Sequence, residues 1–334
     1  EMAGASRVTV EEVRAAMRGT KPNTSPGPDG IPAVLWRWCK DQLAPLLAQL
    51  YTAMGTERMI PADFPLGAVA AIYKGKGDAA DLANHRPITL LNTDYRLLAK
   101  VLATRWGKAL GEAVGKEQTA FLPGRSIGEN VLLLQLLPAV LAAQRLPGHP
   151  PGKGAAAFLD FQKAYDTVDR EFMFSVMEAV GAGGGMLSWA RLLLSDTKAV
   201  AVVNGHVSTP RTWQAGVRQG CPLAPAMYLF VAWALSCWLR EYQDPDTGIK
   251  MGIRMAGVKV KCTQYADDVT PLLGGYSTEH VQALVNAMEI FAEASGQRLN
   301  RSKCQLLIYG WEGLGRPPDT IADMKVVAAA KTLR

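Results

Sequence analysis

The sequence predicts an α+β chain built in two parts, and three observations predict it. Its 334 residues exceed what one hydrophobic core usually serves. The stretch from Pro147 to Gly154 holds three prolines and three glycines, enough structure-breaking residues to mark an internal boundary. Ahead of that break the apolar residues recur mainly at helical spacing, and behind it short strands alternate with helices.

In order, Thr9-Val10-Glu11-Glu12 reads as a capping box that opens a short amphipathic helix to about Arg18. Lys21 to Gly30 is too rich in proline and glycine for helix or central strand. Ile31 to about Met54 reads as one helix, with Pro32 accepted in its first turn. Leu66 to Tyr73 reads as a strand, and Lys74 to Asp78 turns away from it. Asn92 to Leu110 and Ile127 to Gln144 have helical apolar spacing. After the break come a short apolar strand, Ala155 to Leu159, and a helix from about Asp169 to Val180. A further helix follows Gly183-Gly184-Gly185. Asn204-Gly205, between Ala199–Val203 and Val207–Trp213, is the strongest hairpin signal in the chain. A helix follows from about Leu223. Val258 to Gln264 and Val269 to Leu273 then flank Tyr265-Ala266-Asp267-Asp268, ahead of a helix from about Thr278 to Ala294 and a strand from Gln305 to Tyr309.

Composition narrows the chemistry. Lysine and arginine outnumber aspartate and glutamate by 36 to 30, a formal charge of +6 with pI near 9.0, which suits a polyanionic partner. Five cysteines (Cys39, Cys221, Cys237, Cys262, Cys304) form no CxxC pair, so a disulfide framework and a thiolate zinc site are disfavoured and a reducing, intracellular setting is expected. The four histidines are widely separated and supply neither a zinc set nor a Ser-His-Asp relay. Cys221 to Leu239 is uncharged and close to the roughly 20 residues of a membrane span. Pro222, Pro225, Tyr228 and Ser236 interrupt it and no basic cluster flanks it, so a buried helix is expected. Asp246-Thr247-Gly248 has an aspartic-protease tripeptide but polar flanks, and reads as a turn. Glu1-Met2 looks like a cut into a longer polypeptide.

The chemistry must then rest on carboxylates. Asp160 ends an apolar strand, and Asp267 and Asp268 sit in a tight connection between two strands. A sheet that sets these ends side by side gathers three like charges, which a cation must neutralise unless they are protonated. Oxygen donors without histidine or thiol favour Mg²⁺ or Mn²⁺. Two such ions about 3.5–4 Å apart are the clamp of phosphoryl chemistry. An Asp-Asp pair alone is more often a solvated turn.

Seven blocks in order resemble those of reverse transcriptases, most closely those encoded by non-LTR retrotransposons. They are Ser25 to Gly30, His85 to Ile88, Gln118 to Phe121, Phe158-Leu159-Asp160 through Asp166, Arg218 to Leu223, Tyr265 to Asp268, and Ser295-Gly296-Gln297 through Lys303. The resemblance covers Lys21 to Tyr309 and implies a role for each matching residue. Asp160 and Asp267 match the two metal-ligating aspartates of a two-ion, Mg²⁺-dependent RNA-directed DNA polymerase, with Asp268 as the adjacent carboxylate. Tyr165 matches the bulky residue that excludes a 2′-hydroxyl and so selects dNTP. Lys74 and Arg86 match basic residues that grip the triphosphate, with Lys76 a lesser third. Gln219 and Gly220 match the segment lying against the nascent base pair, and Lys303 matches the lysine that protonates the departing pyrophosphate. Ser25 to Gly30 and Phe121 to Ser126 belong to blocks that touch template or brace the fingers. Asp166 and Asp169 read instead as helix-cap and first-turn charges.

The implied architecture is a right-hand polymerase: mostly helical fingers over residues 1–149 and a palm over 150–334, with an antiparallel sheet backed by helices. The family continues into a primer-gripping hairpin and a helical thumb. This chain stops at Thr332-Leu333-Arg334, where that hairpin is expected to begin, so primer handling and activity of the fragment alone are open; no endonuclease or zinc knuckle is expected within it. The implied partners are an RNA template, a DNA primer and dNTP, without a membrane, in the nucleus; oligomeric state is not legible. Two other readings stand beside this one. A truncated relic would bind nucleic acid without catalysis. An RNA-dependent RNA polymerase would have to admit the 2′-hydroxyl that Tyr165 disfavours.

Overall fold

The structure, a computed structural model, describes residues 7–143, 153–255, 257–311 and 317–328. Glu1-Met2, the expected helix end at Gln144, most of the break from Pro147, and Thr332 to Arg334 lie outside the described residues. Helix α1 (Val10–Arg18) starts as expected: Thr9 Oγ1 accepts from the Glu12 amide while the Glu12 carboxylate accepts from the Thr9 amide. The single helix expected from Ile31 is two, α2 (Ala33–Trp38) and α3 (Lys40–Glu57), because the backbone leaves helical angles at Cys39 (φ −90°, ψ 19°). Strand β1 (Gly67–Tyr73) pairs antiparallel with β2 (His85–Leu91), a strand that alternation does not signal because Pro87 lies within it. β2 is a sheet edge, where a missing amide donor is tolerated. Helices α4 (Thr93–Ala113) and α5 (Ile127–Ala143) follow.

After the break come β3 (Gly154–Phe158), α6 (Ala164–Thr167), α7 (Arg170–Ala179) and α8 (Gly183–Leu194). Strands β4 (Lys198–Val203) and β5 (His206–Val207) turn through Asn204 and Gly205, both left-handed at φ +49° and +81°, the geometry for which Asn-Gly is suited. β6 (Arg211–Thr212) returns to pair with β4 as well. Helix α9 (Ala224–Glu241) precedes β7 (Ile253–Met255), β8 (Val258–Val260), β9 (Cys262–Tyr265) and β10 (Asp268–Leu273). The strand expected over Val258–Gln264 is therefore divided at Lys261. Helix α10 (Thr278–Ser295), β11 (Gln305–Tyr309) and a tight pair, β12 (Thr320–Ile321) and β13 (Met324–Val327), come last.

These elements pack as two compact units that alternate along the chain. The first holds the described residues up to Ala109 together with Arg170–Met227. The second holds Leu110–Asp169 and the described residues from Tyr228 onward. The alternation has a topological cause: β4 runs parallel to β1, from Gly67↔Ala199 to Ala70↔Val202, and so joins the sheet of the early strands. That sheet has the order β2-β1-β4-β5, with β6 on β4. The division at 149/150 expected from the sequence does not coincide with these packing units.

The sheet of the second unit has the order β12-β13-β11-β3-β10-β9, antiparallel except where β11 meets β13. β3 is central, and Ala155, Ala156 and Ala157 are fully buried, so small side chains let α5 approach. Leu134, Leu137 and Leu141 of α5 form a core cluster with Ala156, Ile253 and Leu272. Among the described residues no helix is long and apolar enough to cross a membrane, and α9 is largely buried within the protein. All five cysteines are free thiols. Asp246-Thr247-Gly248 is a turn, held by the Asp244 carboxylate, which accepts from the Thr247 amide and hydroxyl.

Candidate active site

Strand register gathers the acids. β3 pairs with β10 through Ala155↔Leu273 and Ala156↔Leu272, and the bridge Leu159↔Val269 keeps the same register. Continued by one residue, that register sets Asp160 across from Asp268. Asp268 in turn pairs with Tyr265 on β9, so Ala266 and Asp267 form a two-residue turn between them. Burial raises the Asp267 carboxyl above the usual carboxylate range, and the Asp160 charge adds to it. Asp268 is pushed up to about 6, by burial first and then by the charges of Asp267 and Asp160. The Asn300 amide donates to the Asp160 carbonyl at 2.7 Å, and the bridge Phe161↔Leu299 lays the Ser295–Lys303 block along this segment. The Lys303 ammonium consequently lies 4.0 Å from Asp160 Oδ2.

The turn is held from beneath by amides. Ala266 adopts φ +57°, a left-handed conformation that costs a side-chain-bearing residue roughly 1–2 kcal/mol. Its amide donates to Gln118 Oε1 at 2.9 Å, and its carbonyl accepts from Gln118 Nε2 at 3.3 Å. A single fully buried side chain thus grips both polar groups of the strained residue. β9 is fixed at Gln264 in the same way. The Thr119 amide and Asn130 Nδ2 both donate to the Gln264 carbonyl, while the Gln264 side chain accepts from Ser236 and donates to the Ala232 carbonyl.

Tyr165 stacks on Tyr228, with ring centroids 4.6 Å apart and planes 21° apart. Burial raises both phenols, and the charges of Asp267 and Asp268 reinforce it, so both rings remain neutral and border the acids. The Tyr228 hydroxyl donates to Gln297 Oε1 at 3.1 Å, and Gln297 Nε2 donates to the Ala164 carbonyl at 2.8 Å. The residue before Tyr165 and the ring beneath it are therefore tied to one buried glutamine.

The remaining candidates lie in the first unit. Lys74 follows β1 and its ammonium donates to the Ala83 carbonyl at 2.9 Å; Arg86 is exposed on β2 across from Ile72. The Gln219 carbonyl accepts from the Thr89 amide at 2.7 Å, which docks this segment on β2. Gly220 has φ +108°, and a Cβ there would meet the Thr89 carbonyl oxygen at 2.4 Å, so only glycine fits. The fully buried Arg218 anchors the segment, donating to the Pro65 carbonyl with its guanidinium 4.7 Å above the Tyr95 ring. Sequence reading placed Gln118, Arg218 and Gln297 inside motif blocks without giving them a task, and Tyr228 in none. Their signal was a polar group amid apolar neighbours, which burial turns into an obligation to find a partner.

Among the described residues no three His, Cys, Asp or Glu side chains come close enough to cage a metal by themselves. Asp160 and Asp267 nevertheless fit a divalent ion whose other ligands come from substrate oxygens. They offer oxygen donors only, and the Asp160 charge felt at Asp267 and Asp268 is a burden that a cation relieves.

Comparison with known proteins agrees with this geometry. Residues 73–323 match the family described as "Reverse transcriptase (RNA-dependent DNA polymerase)". The "Transposon TX1 uncharacterized 149 kDa protein" of Xenopus laevis is 30% identical over 308 residues, 91% of this chain and 22% of that protein. The type-1 retrotransposable element R2 polyprotein of Popillia japonica is 28% identical over 260 residues, 78% of this chain and 34% of that one. The RNA-directed DNA polymerase from mobile element jockey of Drosophila funebris is 23% identical over 307 residues, 90% of this chain and 31% of its own length. The chain thus spans between about a fifth and a third of the curated relatives it matches. A solved telomerase of Candida tropicalis, in complex with a fragment of telomeric RNA, superposes with TM-score 0.53 at 12% identity, covering 85% of this chain and 46% of that one. At that identity the likeness is one of fold, the right-hand polymerase fold.

Proposed function

The chain belongs to the reverse transcriptase family, its relatives being the RNA-directed DNA polymerases of LINE-type non-LTR retrotransposons, and from that premise we propose that it adds dNTP to a DNA primer on an RNA template. The observation that carries the reading is the shared register of β3 and β10, which brings Asp160 to the Asp267-Asp268 turn.

Reverse transcriptases as a family work with divalent metal ions. In this proposal Asp160 and Asp267 hold two Mg²⁺, for which Mn²⁺ can substitute, with Asp268 beside them. Bound there, the ions would neutralise triphosphate charge and favour ionisation of the primer 3′-hydroxyl. The protein's own part is positioning and charge. Tyr165, kept flat by its stack on Tyr228, closes the space a 2′-hydroxyl would need. Lys303 supplies a proton as negative charge builds on the leaving pyrophosphate. Lys74 and Arg86 grip the triphosphate, the arginine bidentately, and Gln219-Gly220 meets the nascent base pair. Residues 1–149 serve as fingers and 150–334 as palm, and the nucleus as the place of action belongs to the same proposal.

Primer extension on poly(rA)/oligo(dT) by a protein carrying this chain tests the reading. Asp160→Asn and Asp267→Asn should each lower synthesis by about 10²–10³-fold or more, the scale of losing a charge-stabilising group, while template binding persists. Undiminished synthesis in both variants would refute it.

A further inference from the structure

We propose that the hairpin β7–β8 and the cleft beside it form a second anion-binding surface, which docks the phosphate backbone of an RNA strand away from the carboxylate cluster. The hairpin has two unlike faces. Ile253↔Val260 and Met255↔Val258 are cross-strand partners, and Ile253 is buried in the core cluster with Met255 and Val260 packed against it. Arg254 and Lys259 are the pair between them, so they share the opposite, exposed face. Like charges directly across a strand pair are destabilising. Here the arrangement is compounded rather than relieved.

Lys261 continues the basic row beyond β8. Gly252 has φ +109°, and a Cβ there would meet Lys261 Cδ at 2.7 Å and Lys259 Cγ at 3.1 Å, so the stems of both lysines gather over this one glycine. Lys250, on the approach to β7, adds a fourth cation whose charge is felt at both lysines. The Lys259 and Lys261 ammoniums are lowered, by burial first and then by neighbouring cations. Among the described residues no carboxylate lies within ion-pair distance of Lys250, Arg254, Lys259 or Lys261, whereas Arg240 nearby is paired with Glu117 at 3.2 Å. A cleft of about 360 Å³ opens alongside, lined by Lys116, Arg240, Lys259 and Lys261 against Glu117 and Glu129. Its positive excess calls for an anion with several charges in a row.

The cleft lies at the start of β9, whose four residues separate it from the catalytic turn by about 13 Å at roughly 3.3 Å per residue. A strand docked there is not the base pair being copied. The inference rests on the RNA-copying reading only for the identity of the polyanion.

Anisotropy of a labelled single-stranded RNA, measured across a salt series, tests the proposal. Removing three phosphate contacts with Arg254→Ala, Lys259→Ala and Lys261→Ala together should lower the slope of log Kd against log salt by about 2, at roughly 0.7 per contact. Affinity at physiological salt should fall on the order of tenfold. The charge-keeping variant Arg254→Lys, Lys259→Arg, Lys261→Arg should restore slope and affinity, which separates charge from folding. An unchanged slope in the alanine variant overturns the proposal. So does equal competition by polyglutamate, which would assign the surface to an acidic peptide. Asp160→Asn should leave the slope intact, so a failure of the catalytic reading is seen in primer extension and a failure of this one in the slope.

Discussion

Two hairpins follow one another within twenty-one residues, Ile253 to Leu273, and concentrate charge of opposite sign by opposite means. The β9–β10 turn brings Asp267 and Asp268 against Asp160 on partly buried backbone, and the fully buried Gln118 side chain holds it. The β7–β8 hairpin sets arginine and lysine side by side on an exposed face. The difference teaches what each can do. Small ions and reacting atoms must be met within fractions of an ångström, so their ligands need a fixed frame. A flexible phosphate backbone needs only charge of the right sign within reach.

The comparison can be broken at its frame. Gln118→Leu removes the grip on Ala266 and leaves its amide and carbonyl without their partner, at about 1–3 kcal/mol for each buried unpaired group. Catalysis should fall by about 10–100-fold with KM for dNTP little changed, because a displaced carboxylate costs more in the transition state than in binding. Gln118→Glu, which keeps the acceptor for the Ala266 and Ala120 amides, should recover part of the loss. Equal kcat for wild type and Gln118→Leu would remove the turn's rigidity from the account. A smaller effect is expected one layer out. Tyr228→Phe keeps the stacked ring but strands Gln297 Oε1, so discrimination between dNTP and NTP should relax by a few-fold, at about 1 kcal/mol for the lost hydrogen bond. Tyr165→Ala should relax it further, and unchanged sugar selectivity in both variants would end that role.

Much of this was legible because it is local. The Thr9 capping box, the Asn204-Gly205 turn and the apolar strand ending at Asp160 each depend on a few neighbouring residues, and each stands where spacing puts it. Strand ends and like charge raised the convergence of Asp160 with Asp267 and Asp268 only as a condition, since an Asp-Asp pair alone reads as a solvated turn, and the resemblance to reverse transcriptases supplied the rest. What escaped was non-local. β2 carries Pro87 and is recognisable only by its seven-residue register with β1. The pairing of β4 with β1 spans more than a hundred residues, so a boundary drawn from a proline-rich break does not describe the packing. β7 is three residues long, too short for alternation to rise above its surroundings. Gln118 reads as an ordinary polar residue until burial shows that its amide must be paired.

The central claim is that Asp160 and Asp267 hold divalent cations with Asp268 beside them, and Mn²⁺-induced thermal stabilisation at two pH values tests it most directly. Because the folded Asp268 carboxyl is raised to about 6, the native state holds its proton over a range where the unfolded chain has lost it. Without metal, this group's contribution to stability therefore falls as pH rises from its unfolded value, about 4, through about 6. A cation reverses that penalty only where the carboxyl is ionised. Mn²⁺ should accordingly raise the wild-type Tm more at pH 7.5 than at pH 5, and Asp267→Asn should largely lose the rise at both. The same Mn²⁺-induced rise in Asp267→Asn as in wild type would contradict the claim.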